Sequence, residues 1–169
     1  MPLNLKHQTG LSLIESMVAL LVISIGVLGI AALQLNSLKQ NSSAFWHSQA
    51  VLIAHDMADR VRANRVEAAN YIGIDTRNEY NQDCMGTPCN TDQMRLADAT
   101  DWAAGLTLIP AGRGIIRAPV ADQLDIVVMW DDEGTGATGT ACGTDPKEDL
   151  TCYTAVSYTH LRAHETKAN

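Results

Sequence analysis

Gly10-Leu11-Ser12-Leu13-Ile14-Glu15 opens onto a long apolar run, residues 16–35. Residues 16–33 carry no charge, and at about 1.5 Å rise per residue a helix of that length approaches the thickness of a bilayer core. The run is therefore a candidate membrane segment. Glu15 stands at its entrance, where an ionised carboxylate at depth costs at least about a few kcal/mol. An acid in that place points to a function.

Two simpler readings compete. A secretory signal peptide would find its basic start in Lys6 and His7, but residues 29–32 offer no clean small-x-small cleavage site. An ordinary single-span anchor accounts for the length and leaves Glu15 without a role.

A short polar leader with a Lys, a Gly directly before an apolar helix and a Glu at the fifth position after that Gly resemble the class III signal of type IV prepilins. The leader is then residues 1–10, Gly10 and Leu11 flank the prepilin peptidase cut, and Glu15 is the assembly charge. The usual first mature residue of the family is Phe, so Leu11 departs from its pattern. Gly-Leu-Ser-Leu-Ile-Glu-Ser-Met-Val-Ala at residues 10–19, with Ala-Asp-Arg-Val-Arg-Ala-Asn at residues 58–64, is most similar to the PilV-type minor pilins, or pilus modification proteins.

The motif has a physical logic. Cleavage after Gly10 gives Leu11 a new α-amino group, with Glu15 four residues along the same helix face. In staggered helices the carboxylate of one subunit meets the ammonium of its neighbour, so burial penalises an unassembled subunit and favours correct register.

The resemblance implies an α+β fold: a long N-terminal helix, half membrane segment and half amphipathic, packed against a small antiparallel sheet. It implies N-methylation at Leu11, and prepilin peptidase, other major and minor pilins, an inner-membrane assembly platform and membrane lipid as partners. It places the chain in the bacterial inner membrane with a periplasmic head, and then in a pilus fibre. A minor pilin that helps initiate, assemble or modify a type IV pilus is the leading reading. A pseudopilin of a type II secretion system and an anchored periplasmic ligand-binding module are the alternatives.

Composition sets the outer bounds. Of 169 residues 46% are hydrophobic, crowded toward the N-terminus, and the net charge is -7. Residues 36–156 hold nine Lys and Arg against seventeen Asp and Glu, a net -8. An acidic head disfavours direct binding to a phosphate backbone, so no nucleic-acid partner is expected.

Taken in order, the chain divides into residues 1–10, 11–35, 36–66, 67–156 and 157–169. Across 36–66, Leu38, Phe45, Ile53, Met57 and Val61 recur at helical spacing with polar residues between them, and no Pro interrupts the helix. Arg60, Arg62 and Arg65 close it, with Asp56 one turn before Arg60. They read as a solvated helix end, with an anion site as the sharper alternative. His47 and His55 share a face without a third ligand and read as surface residues.

Residues 67–90 lose the apolar period and read as a surface connection. A short helix follows over 91–106, capped by Asn90 or Thr91, with Met94, Ala97, Trp102 and Leu106 turned inward. The strongest strand signal is residues 124–130, where Leu124, Ile126, Val128 and Trp130 share one face and Asp125, Val127 and Met129 the other. Residues 131–149 read as a long exposed acidic loop and residues 150–156 as a closing strand. Residues 157–169 resemble a translated sequencing-adapter read and are set aside as a non-native tail, His160 and His164 included.

Four cysteines in an exported head argue for disulfides. Three pairings are open, and Cys84–Cys89 with Cys142–Cys152 closes two local loops. No Cys-x2-Cys knuckle is present, and no metal or other cofactor is expected. Asp131, Asp132 and Glu133, with Asp145, Glu148 and Asp149, suggest a hard-cation loop but match no EF-hand spacing. The chain has no Gly-x-Ser-x-Gly, phosphate-cradling glycine loop or His-Glu-x-x-His, and an enzyme is not expected.

Overall fold

The computed structural model describes residues 13–143 and 145–158. Two compact units divide between Ser42 and Ser43. The first is the opening stretch of α1 (Leu13–Ala63), a helix long and apolar enough to cross a membrane. Every described residue up to Ser42 is exposed, including Leu20, Leu21, Val22 and Ile23 in succession. A helix apolar on all sides belongs in lipid or inside a larger assembly. Ser24 Oγ donates within the helix to the Leu20 carbonyl at 2.7 Å. A side chain at Gly26 or Gly29 would meet nothing within 4 Å, so the unit's own packing does not require either glycine.

The second unit is the head. Ala50, Ala54, Met57, Ala58 and Val61 of α1 are buried, spaced so that they share one helical face. The stripe is not the expected one: Ile53 is half-buried and Met57 and Val61 are buried, but Phe45 and Leu38 are exposed. Three alanines, with Met57 and Val61, make up the buried face of the helix.

After Ala63 the chain tightens into a 3-10 helix, η1 (Arg65–Tyr71), which buries Ala68 and Tyr71. α2 (Thr91–Leu106) begins with a full capping box. The Asn90 side chain accepts from the Gln93 amide at 2.8 Å, and the Gln93 side chain accepts from the Asn90 amide at 3.0 Å. Ala97, Asp98, Ala99, Trp102 and Leu106 turn inward, while Met94 stays partly exposed.

β1 (Arg113–Val120), β2 (Gln123–Trp130) and β3 (Thr151–Tyr158) form an antiparallel sheet in that order. Gly114 of β1 lies under the Trp102 indole, where an added Cβ would sit 2.5 Å from the ring, so only glycine permits this approach of α2 to the sheet. Residues 67–90 do more than connect. The Gly73 amide donates to the Ile116 carbonyl, the Ile116 amide to the Ile74 carbonyl and the Thr76 amide to the Gly114 carbonyl, which lays a short rung along the outer edge of β1.

β2 is buried on both faces. Leu124, Ile126, Val128 and Trp130 join the main core under the helices. Val127 and Met129 form a second cluster with Ala137 and Leu150, flanked by Ile115 and by Cys142 and Cys152. The expected exposed loop at 131–149 therefore folds partly over the outer face of the sheet. β3 runs two residues past the expected end of the strand, with Ser157 opposite Leu124 and Tyr158 opposite Gln123. Residues 159–169 lie outside the described residues.

Candidate functional site

Glu15 occupies the first turn of α1 and is exposed. Leu13, Ile14, Met17 and Val18 surround it, all large, apolar and exposed. The first cation along the described helix is Lys39, far from this turn. Gly10 and Leu11 fall outside the described residues. A carboxylate at the mouth of an apolar helix is costly in lipid and is best compensated by an opposite charge brought to it. Such an arrangement suits charge pairing with a neighbouring helix.

In the head, the polar groups that sequence singled out are tied into the fold. Arg60 Nε donates to Asp56 at 2.9 Å, and its Nη1 donates to Asp98 at 3.1 Å and Asp101 at 3.0 Å. Burial alone would lower the guanidinium pKa, but hydrogen bonds to the three carboxylates outweigh it and hold the pKa raised. Arg62 pairs with Asp59 at 2.5 Å. The anion-site reading of the basic cluster is thereby corrected: carboxylates of the head itself neutralise Arg60 and Arg62.

Behind Arg60 lies a polar knot that sequence did not reveal. Tyr71 Oη donates to Asp98 Oδ2 at 2.5 Å, and Asn64 Nδ2 donates to Tyr71 Oη at 3.1 Å and to the Thr91 carbonyl at 2.7 Å. Tyr71 is fully buried and Asp98 is 5% exposed. Burial first, and then the hydrogen bond to Asp98, raise the Tyr71 pKa and keep the phenol protonated. The knot joins α1, η1 and α2. An i, i+4 pair such as Asp56 and Arg60 is visible in sequence, whereas a contact between residues 71 and 98 has no periodic signal.

The acidic loop uses its carboxylates as backbone caps. Asp131 accepts from the Thr135 amide at 3.1 Å and the Gly136 amide at 2.8 Å. Burial pushes its pKa up, but backbone donors at Gly136, Thr135 and Gly134 prevail and the net shift is downward. Asp132 accepts from Ser43 Oγ at 2.6 Å and from Trp130 Nε1 at 3.0 Å. Asp145 accepts from the Lys147 amide at 2.9 Å. The hard-cation reading gives way to this internal use, and among the described residues no three His, Cys, Asp or Glu side chains converge to hold a metal. His47 and His55 turn to aromatic neighbours: His55 Nε2 lies 3.1 Å from Tyr153 Oη, and the His47 ring contacts Trp130 and Tyr153 edge-on.

On β1, Arg113 donates to both oxygens of Asp75, at 3.1 and 2.5 Å, and this pairing is the chief cause of the lowered Asp75 pKa. Both Asp75 and Asp131 thus titrate below their unfolded value of about 3.9. Their stabilisation is present above that value and is lost as pH falls through the folded pKa values. Thermal melts of the detergent-solubilised protein at stepped pH are expected to change little on account of these two groups between about pH 5 and 7 and to drop below about pH 4. For Asp75→Asn, the part of that acid-dependent drop due to Asp75 is expected to vanish.

Cys84 bonds to Cys89 and Cys142 to Cys152, each with Cα atoms less than 6 Å apart, at 5.6 and 5.5 Å. The second bridge staples the 131–149 loop over Val127 and Met129. Replacing Cys142 and Cys152 together by Ser is expected to cost about 2 to 4 kcal/mol and to open this loop to protease, with the helix content retained. Limited proteolysis with and without reductant checks it, and an unchanged digestion pattern would show the bridge to be dispensable.

Residues 5–31 match the family model described as the prokaryotic N-terminal methylation motif, and residues 32–100 match the one described as type IV pilin Tt1218. No curated protein and no solved structure matches the chain. The first match takes in Gly10, Leu11 and Glu15, and the second takes in the rest of α1, η1, Cys84, Cys89 and the start of α2. Together they make residues 5–100 similar to type IV pilins that carry an N-terminal methylation motif.

Proposed function

We propose that the chain is a minor pilin, closest to the PilV type, that helps initiate, assemble or modify a type IV pilus. Prepilin peptidase cuts after Gly10, Leu11 is N-methylated, and the apolar part of α1 holds the subunit in the inner membrane with its head in the periplasm. The assembly platform then passes it into a fibre beside other major and minor pilins. One observation carries this reading: an acid set into a helix apolar on every side, at the spacing from Gly10 that brings it within reach of a neighbour's new N-terminus. Among the described residues of its own unit nothing packs against the helix, and a bundle of like helices would cover it.

N-terminal sequencing and intact mass of the protein extracted from membranes test the proposal. The expected product begins at Leu11 and carries one added methyl group. A mature chain that begins at any other residue would overturn the assignment.

A further inference from the structure

The two disulfides sit in different surroundings. Cys142 and Cys152 pack against the cluster of Val127, Met129, Ala137 and Leu150. Carbonyl oxygens stand beside both sulfurs, Thr140 at 3.9 Å from Cys142 Sγ and Leu150 at 3.6 Å from Cys152 Sγ. A thiolate formed there meets apolar side chains and those oxygens, and both disfavour its charge. Cys84 and Cys89 instead close a loop whose intervening residues, 85–88, are all exposed, Met85 at 97%. Residues 77–90 belong to no helix or strand, and neither cysteine joins a hydrophobic cluster among the described residues. Cys89 directly precedes Asn90, the N-cap of α2, which puts it at the positive end of that helix. Gln82 Nε2 donates to Cys89 Sγ at 3.7 Å, nearer than the Asp83 carbonyl at 4.0 Å, while the Asp83 carboxylate accepts from the Met85 amide at 2.7 Å.

We infer that Cys84–Cys89 is a thiol–disulfide exchange site, opened by a soluble thiol ahead of Cys142–Cys152, and that its opening loosens the start of α2. The incoming thiolate attacks Cys84 Sγ. A new S–S bond forms to Cys84 as the old one breaks, and the electron pair leaves on Cys89 Sγ, where the helix start and the Gln82 amide favour negative charge. Cys89 also borders a cavity of about 340 Å³ beside Ala63, Thr91 and Met94, which gives the departing sulfur room. A second thiolate then attacks the sulfur of the bound thiol. Cys84 leaves as a thiolate, both cysteines take up protons from water, and the reagent departs as its own disulfide. Cys89 is the last residue before a cap that is tied to the rest of the head: the Thr91 carbonyl accepts from Asn64 Nδ2 at 2.7 Å, and Thr91 Oγ1 donates to Glu67 at 3.0 Å. Freeing Cys89 slackens the segment that holds this cap in place. The inference does not depend on the pilin reading.

The test exposes the full chain in detergent to dithiothreitol, quenches samples with acid at intervals, alkylates the free thiols and locates them by peptide mass spectrometry. Cys84 and Cys89 are expected to become alkylated at least about tenfold faster than Cys142 and Cys152. Equal rates, or earlier opening of Cys142–Cys152, would overturn the inference. With glutathione in place of dithiothreitol the trapped adduct is expected on Cys84, and an adduct on Cys89 would overturn the assigned direction of attack. In protein reduced only at Cys84 and Cys89, hydrogen exchange at the Gln93 and Met94 amides, which bond to Asn90, is expected to speed up at least about tenfold while the β2 amides keep their protection. Unchanged exchange at those two amides would overturn the link to α2.

Discussion

Glu15→Ala is expected to leave membrane insertion intact and to abolish entry into pili. Removing the carboxylate takes a costly group out of an apolar helix, so the isolated subunit should partition into the bilayer at least as well as before. What is lost is the partner for the ammonium of Leu11 on a neighbouring helix, and an unpaired charge buried in a bundle costs about 3 to 5 kcal/mol. At about 1.4 kcal/mol per tenfold, that is a loss of about two to three and a half orders of magnitude in incorporation. Sheared pilus fractions probed with antibody, beside membrane fractions from the same cells, read both quantities. Glu15→Asp should restore part of the loss because it keeps the charge and shortens its reach. Normal amounts of Glu15→Ala in sheared pili would refute the pairing account.

Asp98→Ala should be the most destabilising single change in the head. It leaves the buried Tyr71 hydroxyl without its acceptor, removes one of the three carboxylates around Arg60, and opens a small void between α2 and η1. Each is a recognised route to a large effect, and together they are expected to cost about 2 to 4 kcal/mol. For a head of this size that corresponds to a drop in melting temperature of about 10 °C or more. Asp98→Asn keeps an oxygen acceptor for Tyr71 and should fall between the two. Circular dichroism of solubilised protein followed through the head transition decides the matter, and an Asp98→Ala melt that overlays the parent would show the knot to be incidental. A double-mutant cycle with Tyr71→Phe isolates the hydroxyl–carboxylate contribution.

Much of this architecture could be read from residues alone where the signal was local. The unbroken helix follows from the absence of Pro over fifty residues, α2 from Asn90 and the apolar residues behind it, and β2 from alternation between Leu124 and Trp130. Short loops between cysteines made local bridges the simplest pairing. Other features escaped because their causes are tertiary. Ala50, Ala54 and Ala58 carry too little apolar weight to outrank Leu38 and Phe45 in a periodicity argument, yet they lie fully buried in the core. Val127 and Met129 share their face of β2 with Asp125, and nothing local announces that Ala137 and Leu150 return to cover them. The knot around Asp98 pairs residues 27 and 38 positions apart, beyond any periodic rule.

At Glu15 the local signal suggested both the residue and a counterpart, the Leu11 ammonium, and under the proposed function that ammonium belongs to another molecule, so a single chain would display only half of the contact.

The bridge between Cys142 and Cys152 also bears on how this head tolerates change. With both ends of the acidic segment fixed, one by β2 and the other by a covalent clamp, residues between Glu133 and Thr140 form a closed appendix, itself pinned at Gly139 by backbone bonds to Glu148 and Leu150, so that changes between its pinned points leave strand register undisturbed. Diversity among related heads should accumulate there first, provided that a small apolar residue is kept at position 137 to seal the underside of the sheet.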